Sequence, residues 1–253
     1  MSRSTNEYLT NPASKVLEWS GSEGHFSWWD KTAKERVIEP FPVRLIVLDT
    51  LHSVGGYSNQ DESRFYSNEC RKVTDTFVVR CKKHIVIQGP LADVKKVTGV
   101  KYKQAVYFAY RPDKDANLRI AKMELSGAAI TPWIDFCQNL SGGRLYKGFV
   151  KVGEAVQNTK GKVTYFSPVF EFMPVLDTDE KAVKVLAEAD ALDKFLQMSY
   201  LDPYLKRGGI HPLDDGGPDK EAVGASFPPS DEEAPPEQRA DAGMYISDDD
   251  VPF

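Results

Sequence analysis

The stretch Arg144-Leu145-Tyr146-Lys147-Gly148-Phe149-Val150-Lys151-Val152 has the alternating pattern that decides the fold class. Successive side chains of a β-strand point to opposite faces of the sheet. As a strand, the stretch places Lys147, Phe149 and Lys151 on one face. The other face then carries Tyr146, Gly148, Val150 and Val152. The pattern predicts a strand with one basic and aromatic face, suited to following a charged polymer backbone.

Similar apolar or alternating runs recur after Val37 and are separated by Gly, Pro, Asn and Asp. Such runs are typical of antiparallel strands, here predicted at 43–51, 73–87, 101–110, 118–125, 144–152 and 162–175. One short helix interrupts them, with Thr131 as N-cap, Pro132 in the first turn and Gly142-Gly143 as its end. Its inward-facing residues are predicted to be Trp133, Ile134, Phe136 and Leu140. The predicted fold class is mainly β.

A second helix is predicted after Asp177, which forms a capping box with Glu180. Its apolar stripe contains Val185, Leu192, Phe195 and Leu196, and this stripe favours packing against the strands over a partner site. Pro203 is expected to end the helix. The chain is thus divided into an N-terminal arm with one short helical piece (1–36), one domain that includes the C-terminal helix (37–208) and a tail (209–253).

Charge separates the tail from the rest of the chain. The whole sequence has a formal net charge of -5, but from His211 onward 12 Asp and Glu residues face only Lys220 and Arg239. The segment before His211 therefore carries about +5. The tail is rich in Pro, Gly, Asp and Glu and has little apolar surface to bury, which predicts a disordered acidic tether. It ends in Asp248-Asp249-Asp250-Val251-Pro252-Phe253, an acidic and aromatic tip suited to binding a protein partner.

Several function classes lack support in the sequence. No run of about 18 apolar residues suggests a membrane span, and residues 1–30 do not resemble a secretion signal. Three cysteines, Cys70, Cys81 and Cys137, provide no disulfide framework. No phosphate-binding glycine loop is present, and Cys81 with His84 forms only half of a zinc site. The sequence therefore favours a cytoplasmic, non-enzymatic protein without a cofactor or metal.

Basic and aromatic residues interleave on the predicted strands, which favours single-stranded nucleic acid as the ligand. Unpaired bases stack on aromatic rings while Lys and Arg contact phosphates. The residues predicted to contact phosphates are Arg80, Lys82, Lys101, Lys103, Lys147 and Lys151. The rings predicted to stack on bases are Tyr102, Tyr107, Phe149 and Tyr165. About half of all the aromatics on the predicted strands are expected to belong to the core instead.

A resemblance supports this interpretation. The tip is similar to the Asp-Asp-Asp-Ile-Pro-Phe ending of bacterial single-stranded DNA-binding proteins, with Val251 in place of Ile. Residues 130–136 and 165–170, within a span of 38–176, resemble the phage-encoded members of that group. The resemblance implies one oligonucleotide-binding (OB) barrel with extra strands and a C-terminal helix. It also implies sequence-independent binding of single-stranded DNA, with a tip that recruits replication, recombination and repair proteins in the bacterial host cell.

Two other functions remain open at this point. The body could bind protein instead of DNA, as in a recombination mediator or a replisome adaptor whose acidic tail mimics nucleic acid. The chain could also be a metal-dependent nuclease that uses carboxylates such as Asp49 and Asp135. Binding of a labelled oligonucleotide tests the first alternative, and cleavage of single strands with magnesium or manganese tests the second.

Overall fold

The computed structural model describes residues 9–82, 84–113, 116–140, 144–176 and 178–208. Within these residues the protein is mainly β. The strands are β1 (Val16–Ser20), β2 (His25–Asp30), β3 (Glu35–Glu39), β4 (Val43–Ser58), β5 (Ser63–Ser67), β6 (Phe77–Cys81), β7 (His84–Gly89), β8 (Val100–Tyr110), β9 (Arg119–Leu125), β10 (Gly148–Val152), β11 (Val156–Lys160), β12 (Val163–Ser167) and β13 (Phe170–Pro174). The helices are α1 (Leu91–Val94), α2 (Ile130–Asn139), α3 (Glu180–Leu196) and α4 (Asp202–Lys206).

The long strand β4 organises the main sheet. The strand order is β3-β2-β1-β9-β8-β4-β5-β6-β7, with β3 and β7 at the two ends of the path. One edge of β4 pairs with β8 over most of its length. Its other edge pairs with β10 at Val43–Leu45 and with β5 at Gly55–Ser58. A single strand therefore carries two separate parts of the structure, one near each of its ends.

A bulge in β4 exchanges the two faces of the strand. The register with β8 shifts between Val47 and Asp49, so that one extra residue, Leu48, is inserted on β4. Before the bulge Val47 points into the core that contains Val54, and after it the even-numbered residues point there. Bulges bend the strand that carries them and increase its twist. The bend allows β4 to pair with β10 near its start and with β5 near its end.

Both faces of the central strands are covered. The inner core lies on one side of the sheet, where α2 inserts the fully buried Trp133 against residues of β4, β8, β9 and β10. The outer core lies on the opposite side, where Leu196 and Leu201 of the C-terminal helical segment cover Leu51 of β4. The expected packing of the C-terminal helix on the strands is confirmed. The predicted inward direction of Trp133 and Ile134 is confirmed as well, since both are buried.

The C-terminal helix differs from its prediction at both ends. Its N-cap is Asp179, whose carboxylate accepts a hydrogen bond from the Ala182 amide at 3.0 Å; Asp177 lies outside the described residues. Pro203 does not end the helix, because a π-helical turn (Gln197–Leu201) leads directly into α4, and Pro203 occupies the first turn of α4. Phe195 is 52% exposed and does not belong to the buried stripe.

The prediction of an N-terminal arm with a helical piece is wrong for residues 16–36. These residues lie in β1, β2 and β3, and β1 pairs in parallel with β9, so the segment is part of the main sheet. Two turns of four residues make the hairpins possible, with Gly24 and Lys34 in the left-handed region at φ 74° and 57°. The Asp30 carboxylate stabilises the second turn by accepting from the Thr32 and Ala33 amides.

The boundaries of several other strands and of the internal helix also differ from the predicted ones. The predicted strand at 73–87 is a hairpin of β6 and β7, and the one at 162–175 is divided into β12 and β13 before Phe170. Strands β5 and β11 were not predicted. The internal helix starts at Ile130, one residue before the predicted N-cap Thr131, because a 3₁₀ turn at Gly127–Ala129 leads into it. Gly142 and Gly143 lie outside the described residues.

Candidate nucleic-acid interface

The outer face of β5, β6 and the adjoining ends of β4 and β8 carries exposed aromatic and basic side chains. Phe65, Val54 and Tyr102 point into the inner core, so the residues next to them on each strand point outward. In the register, Gly55 of β4 lies between Lys101 of β8 and Tyr66 of β5. The outward face thus formed contains Tyr57, Arg64, Tyr66, Lys101 and Lys103, and we refer to these five residues as the outer platform.

Two tyrosines provide the rings of the outer platform. Tyr57 is 37% exposed and Tyr66 is 38% exposed, so both residues are accessible to solvent on this face. The Tyr66 hydroxyl donates a hydrogen bond to the carbonyl oxygen of Lys82 at 2.5 Å, which orients the ring across β6. An oriented and solvent-accessible ring is what base stacking requires.

Three cations flank these rings. Arg64 lies opposite Tyr57 in the β4–β5 ladder, and Lys101 lies across Gly55 from Tyr66. Both side chains belong to exposed residues. Lys103 is more covered and lies 3.4 Å from a carboxylate oxygen of Glu124. The outer platform therefore has at least two well-solvated cations next to its rings.

Arg80 and Lys82 have different environments. Arg80 was predicted to be exposed, and this is wrong because the residue is only 7% exposed. It lies between Tyr66 and Ile85 in the row across β5, β6 and β7, and these long neighbours cover it. Lys82 is exposed as predicted, at the turn between β6 and β7, where its φ of 54° fits a two-residue hairpin loop.

Two acidic residues limit the outer platform on the side of β1 and β9. Burial raises the pKa of the Glu18 carboxyl, and the neighbouring Glu124 raises it further. Lys103 and Arg64 of the outer platform oppose this rise, and so does Arg36, which lies 3.4 Å from the Glu18 carboxylate, so Glu18 acts on two of the cations that a phosphate would contact. The pKa of Glu124 is well below its ordinary value, mainly because Lys122 lies 2.7 Å away. A polyanion would therefore be favoured over β5 and the end of β8 and disfavoured towards β1.

Tyr102 and Tyr107 were predicted to stack on bases, and both predictions are wrong. Tyr102 is 5% exposed on the inner side, with its hydroxyl bonded to His52 Nδ1 and Gln104 Nε2. Tyr107 is fully buried beneath the C-terminal helix and donates to a carboxylate oxygen of Glu69 at 2.9 Å. The inner face of β8 is covered at Tyr102 and the outer face is covered at Tyr107, so neither of these two rings reaches solvent.

The residues predicted on β10 lie far from the outer platform. Arg44 of β4 pairs with Lys151, whereas Gly55 pairs with Lys101, so the two regions are separated by 11 residues of β4, at most roughly 36 Å along the strand. Lys151 is bound to Glu171 at 2.8 Å, and Phe149 is half-buried against the outer core. Lys147 is exposed just before β10. The strand predicted at 144–152 is confirmed only for 148–152, because residues 144–146 form a 3₁₀ turn, and the confirmed part does not extend the outer platform.

Tyr165 lies on a separate hairpin formed by β11 and β12. It is half-buried and pairs with Asn158 in that ladder. The hairpin is attached to the first strands of the chain, since the Trp19 indole donates to the Phe166 carbonyl and the Phe166 amide to the Gly21 carbonyl. The register does not connect Tyr165 with Tyr57 or Tyr66.

Sequence reasoning missed Tyr57, Arg64 and Tyr66. The signal was the short stretch Ser63-Arg64-Phe65-Tyr66-Ser67, in which Phe65 alternates with a basic and an aromatic neighbour. The preceding Gly55-Gly56 pair obscured it, because glycines interrupt a strand pattern. Gly56 has a φ of 136°, and a Cβ there would lie 1.9 Å from the Gly99 carbonyl oxygen, so this strand requires the glycine.

The described residues contain no group of three or more His, Cys, Asp or Glu side chains that could hold a metal ion. Asp49, one of the carboxylates of the nuclease hypothesis, accepts hydrogen bonds from Arg71 Nη1 and Gln197 Nε2, each at 2.8 Å. Its role in the structure is to tie the end of α3 to β4. Within the described part of the chain, no helix is long and apolar enough to cross a membrane.

The tip residues Asp248, Asp249, Asp250, Val251, Pro252 and Phe253 lie outside the described residues. The last described residue, Gly208, accepts a hydrogen bond from Asn68 Nδ2 at 2.9 Å, and Asn68 follows Tyr66 by two positions. The last described residue therefore lies next to the end of β5, close to the outer platform. Comparisons with protein-family models, with curated proteins and with solved structures gave no match to this chain.

Proposed function

We propose that this chain binds single-stranded DNA across the outer platform, without strong sequence preference. The observation that carries the proposal is the placement of two half-exposed tyrosines and three cations on one face, all oriented outward by the ladder register. Rings give stacking that every base can use, and cations contact phosphates, so neither interaction depends on sequence. The body would be an OB-type barrel, which is supported by the bent β4 that pairs with β10 at one end and β5 at the other.

The tail would serve a second purpose in this proposal. The body carries about +5 and the tail -10, and the tail starts at Gly208 beside the outer platform. An acidic tip on a long tether suits recruitment of other proteins to the DNA that the body coats, as the resemblance of the ending implies. Replication, recombination and repair proteins are the partners that this resemblance suggests.

The test is a titration of the full chain with fluorescein-labelled oligo-dT and with a duplex of equal length. We expect the single strand to bind more tightly, with a Tyr57→Ala/Tyr66→Ala double variant losing most of that affinity. A chain that binds neither oligonucleotide at moderate salt would contradict the proposal and favour the adaptor alternative. Cleavage of the strand with added magnesium or manganese would favour the nuclease alternative.

A further inference from the structure

A second surface feature, far from the outer platform, is an apolar pocket at the N-terminal half of α3. It has a volume of about 530 Å³ and lies between α3, β4, β8 and β10. Its apolar lining includes Leu118, Phe149 and Val185, which are only partly covered by the outer core. An apolar cavity of about 150 Å³ already admits benzene, so this pocket has room for an aromatic ring.

Cations lie in and near this pocket. Arg44 and Arg111 line it directly. Lys181 is exposed on α3, one turn before Val185 and therefore on the same side of the helix. Arg111 is paired with Glu188 at 3.4 Å. Among the described residues, Arg44 has no ion-pair partner. Asp113 also lines the pocket and offsets part of the positive charge. The pocket thus favours an apolar group that is flanked by carboxylates.

The chain's own ending has this chemistry. Phe253 combines an aromatic ring with the terminal carboxylate, and Asp248, Asp249 and Asp250 precede it closely. Val251 and Pro252 add apolar surface, and the proline reduces the entropy lost on docking.

The length of the tail also fits. From Val185 in the pocket to Gly208, where the tail begins, the helical segment spans 23 residues or roughly 35 Å at 1.5 Å per residue. A flexible Gly- and Ser-rich chain as long as the 45 residues after Gly208 has an average end-to-end distance of roughly 34–40 Å, and the prolines and like charges of this tail extend it further, so the tail is long enough to span this distance. Effective concentration is highest when the length of a tether matches the span between its two attachment points.

We infer that the tip Asp248-Asp249-Asp250-Val251-Pro252-Phe253 docks into this pocket on the body of the same chain when no partner holds it. The inference rests on the proposed role of the tip as a protein-binding segment and adds a resting site for it, separate from the DNA-binding face. A partner would then compete with the pocket for Phe253, while DNA would not. Docking in trans would join two copies through the same contacts.

The experiment uses the chain without Phe253, so that the natural tip does not compete, and a labelled peptide of residues 244–253. Fluorescence anisotropy should show saturable binding of the peptide. A peptide with Phe253→Ala should bind at least on the order of tenfold more weakly, and Arg44→Glu in the protein should have a similar effect. The matched control is Arg64→Glu on the outer platform, which should leave peptide binding unchanged and weaken DNA binding.

Three results would overturn the inference: no binding of the peptide, equal binding of the Phe253→Ala peptide, or loss of peptide binding with Arg64→Glu but not with Arg44→Glu. The last result would place the tip on the outer platform. Oligo-dT binding by the Arg44→Glu variant should match that of the parent protein, and this also shows that the variant is folded. A failure of DNA binding in the parent protein would contradict the proposed function alone, since the peptide measurement does not depend on it.

Discussion

Tyr66 of β5 and Lys101 of β8 lie on either side of Gly55 in one row across the sheet. Adjacent strands are about 4.8 Å apart, so the two residues are separated by roughly 10 Å with no side chain between their backbones. The open space is used by Lys103, because a Cβ on Gly55 would come within 2.6 Å of its Cε. An aromatic ring and two ammonium groups are thereby brought together on one outward face.

The rings of the outer platform should contribute directly to DNA affinity. We expect Tyr57→Ala and Tyr66→Ala each to weaken oligo-dT binding by about 1–3 kcal/mol, because a stacked base loses its ring. Tyr66→Phe is the matched control, since it removes the hydroxyl with its bond to Lys82 and keeps the ring. Anisotropy titrations at one salt concentration provide the measurement. Equal affinities of the Ala and Phe variants would exclude stacking at Tyr66.

The salt dependence should identify the cations that contact phosphates. Single-strand binding loses about 0.7 in the logarithmic salt slope for each phosphate contact that is removed. We expect the variant with Arg64, Lys101 and Lys103 all changed to Ala to lose about 2 in slope. The Lys147→Ala/Lys151→Ala variant serves as the comparison and should lose little, because these residues lie near the other end of β4 and Lys151 is bound to Glu171. A larger loss of slope in the Lys147→Ala/Lys151→Ala variant would indicate that the DNA binds at β10.

Tyr107 should affect stability and not DNA binding. Its buried hydroxyl donates to Glu69, so Tyr107→Phe leaves a buried carboxylate with one partner fewer. We expect the free energy of unfolding to fall by about 1–3 kcal/mol, as measured by urea denaturation. The affinity of the folded variant for oligo-dT should be unchanged. A loss of affinity without a loss of stability would show that the ring reaches DNA.

Glu18 should make DNA binding depend on pH. Burial raises the pKa of this carboxyl, so it takes up a proton at a higher pH than an exposed glutamate does. Protonation removes a negative charge next to Lys103 and Arg64, and DNA affinity should therefore rise as the pH is lowered from 7 through the pKa of Glu18. Glu18→Gln should bind more tightly at pH 7 and show a smaller pH dependence. Glu154→Gln, at an exposed position, is the control and should behave like the parent protein.

The acidic tether between Gly208 and the tip should compete with DNA for the outer platform through charge, while the tip itself rests in the pocket at α3. Deleting residues 209–253 removes a segment of -10 that begins beside Asn68. We expect tighter oligo-dT binding at low salt and little change at high salt, where screening already weakens the attraction. Deleting Phe253 alone should hardly alter DNA binding, since the ring carries no charge. An unchanged affinity of the truncated chain at low salt would contradict this prediction.

The local patterns of the sequence are enough to predict the mainly β class, the internal helix around Trp133 and the amphipathic C-terminal helix. Each depends on a repeat of two or 3.6 residues that is visible without any partner element. The charge division between body and tail is likewise a property of composition. The hairpins of β1–β3 escaped prediction because their tryptophans and charged residues do not form a clean alternation.

Only the tertiary structure decided which aromatics are open to solvent. Tyr102 and Tyr107 belong to opposite faces of β8, and each face is covered by elements far away in sequence, Tyr107 by the C-terminal helix and Tyr102 by the inner core. Tyr66 remains accessible because the helix covers the middle of β4 and not the region around Gly55. Alternation assigns a side chain to a face, but burial depends on what packs against that face, and this is set by contacts between segments that are distant in the chain.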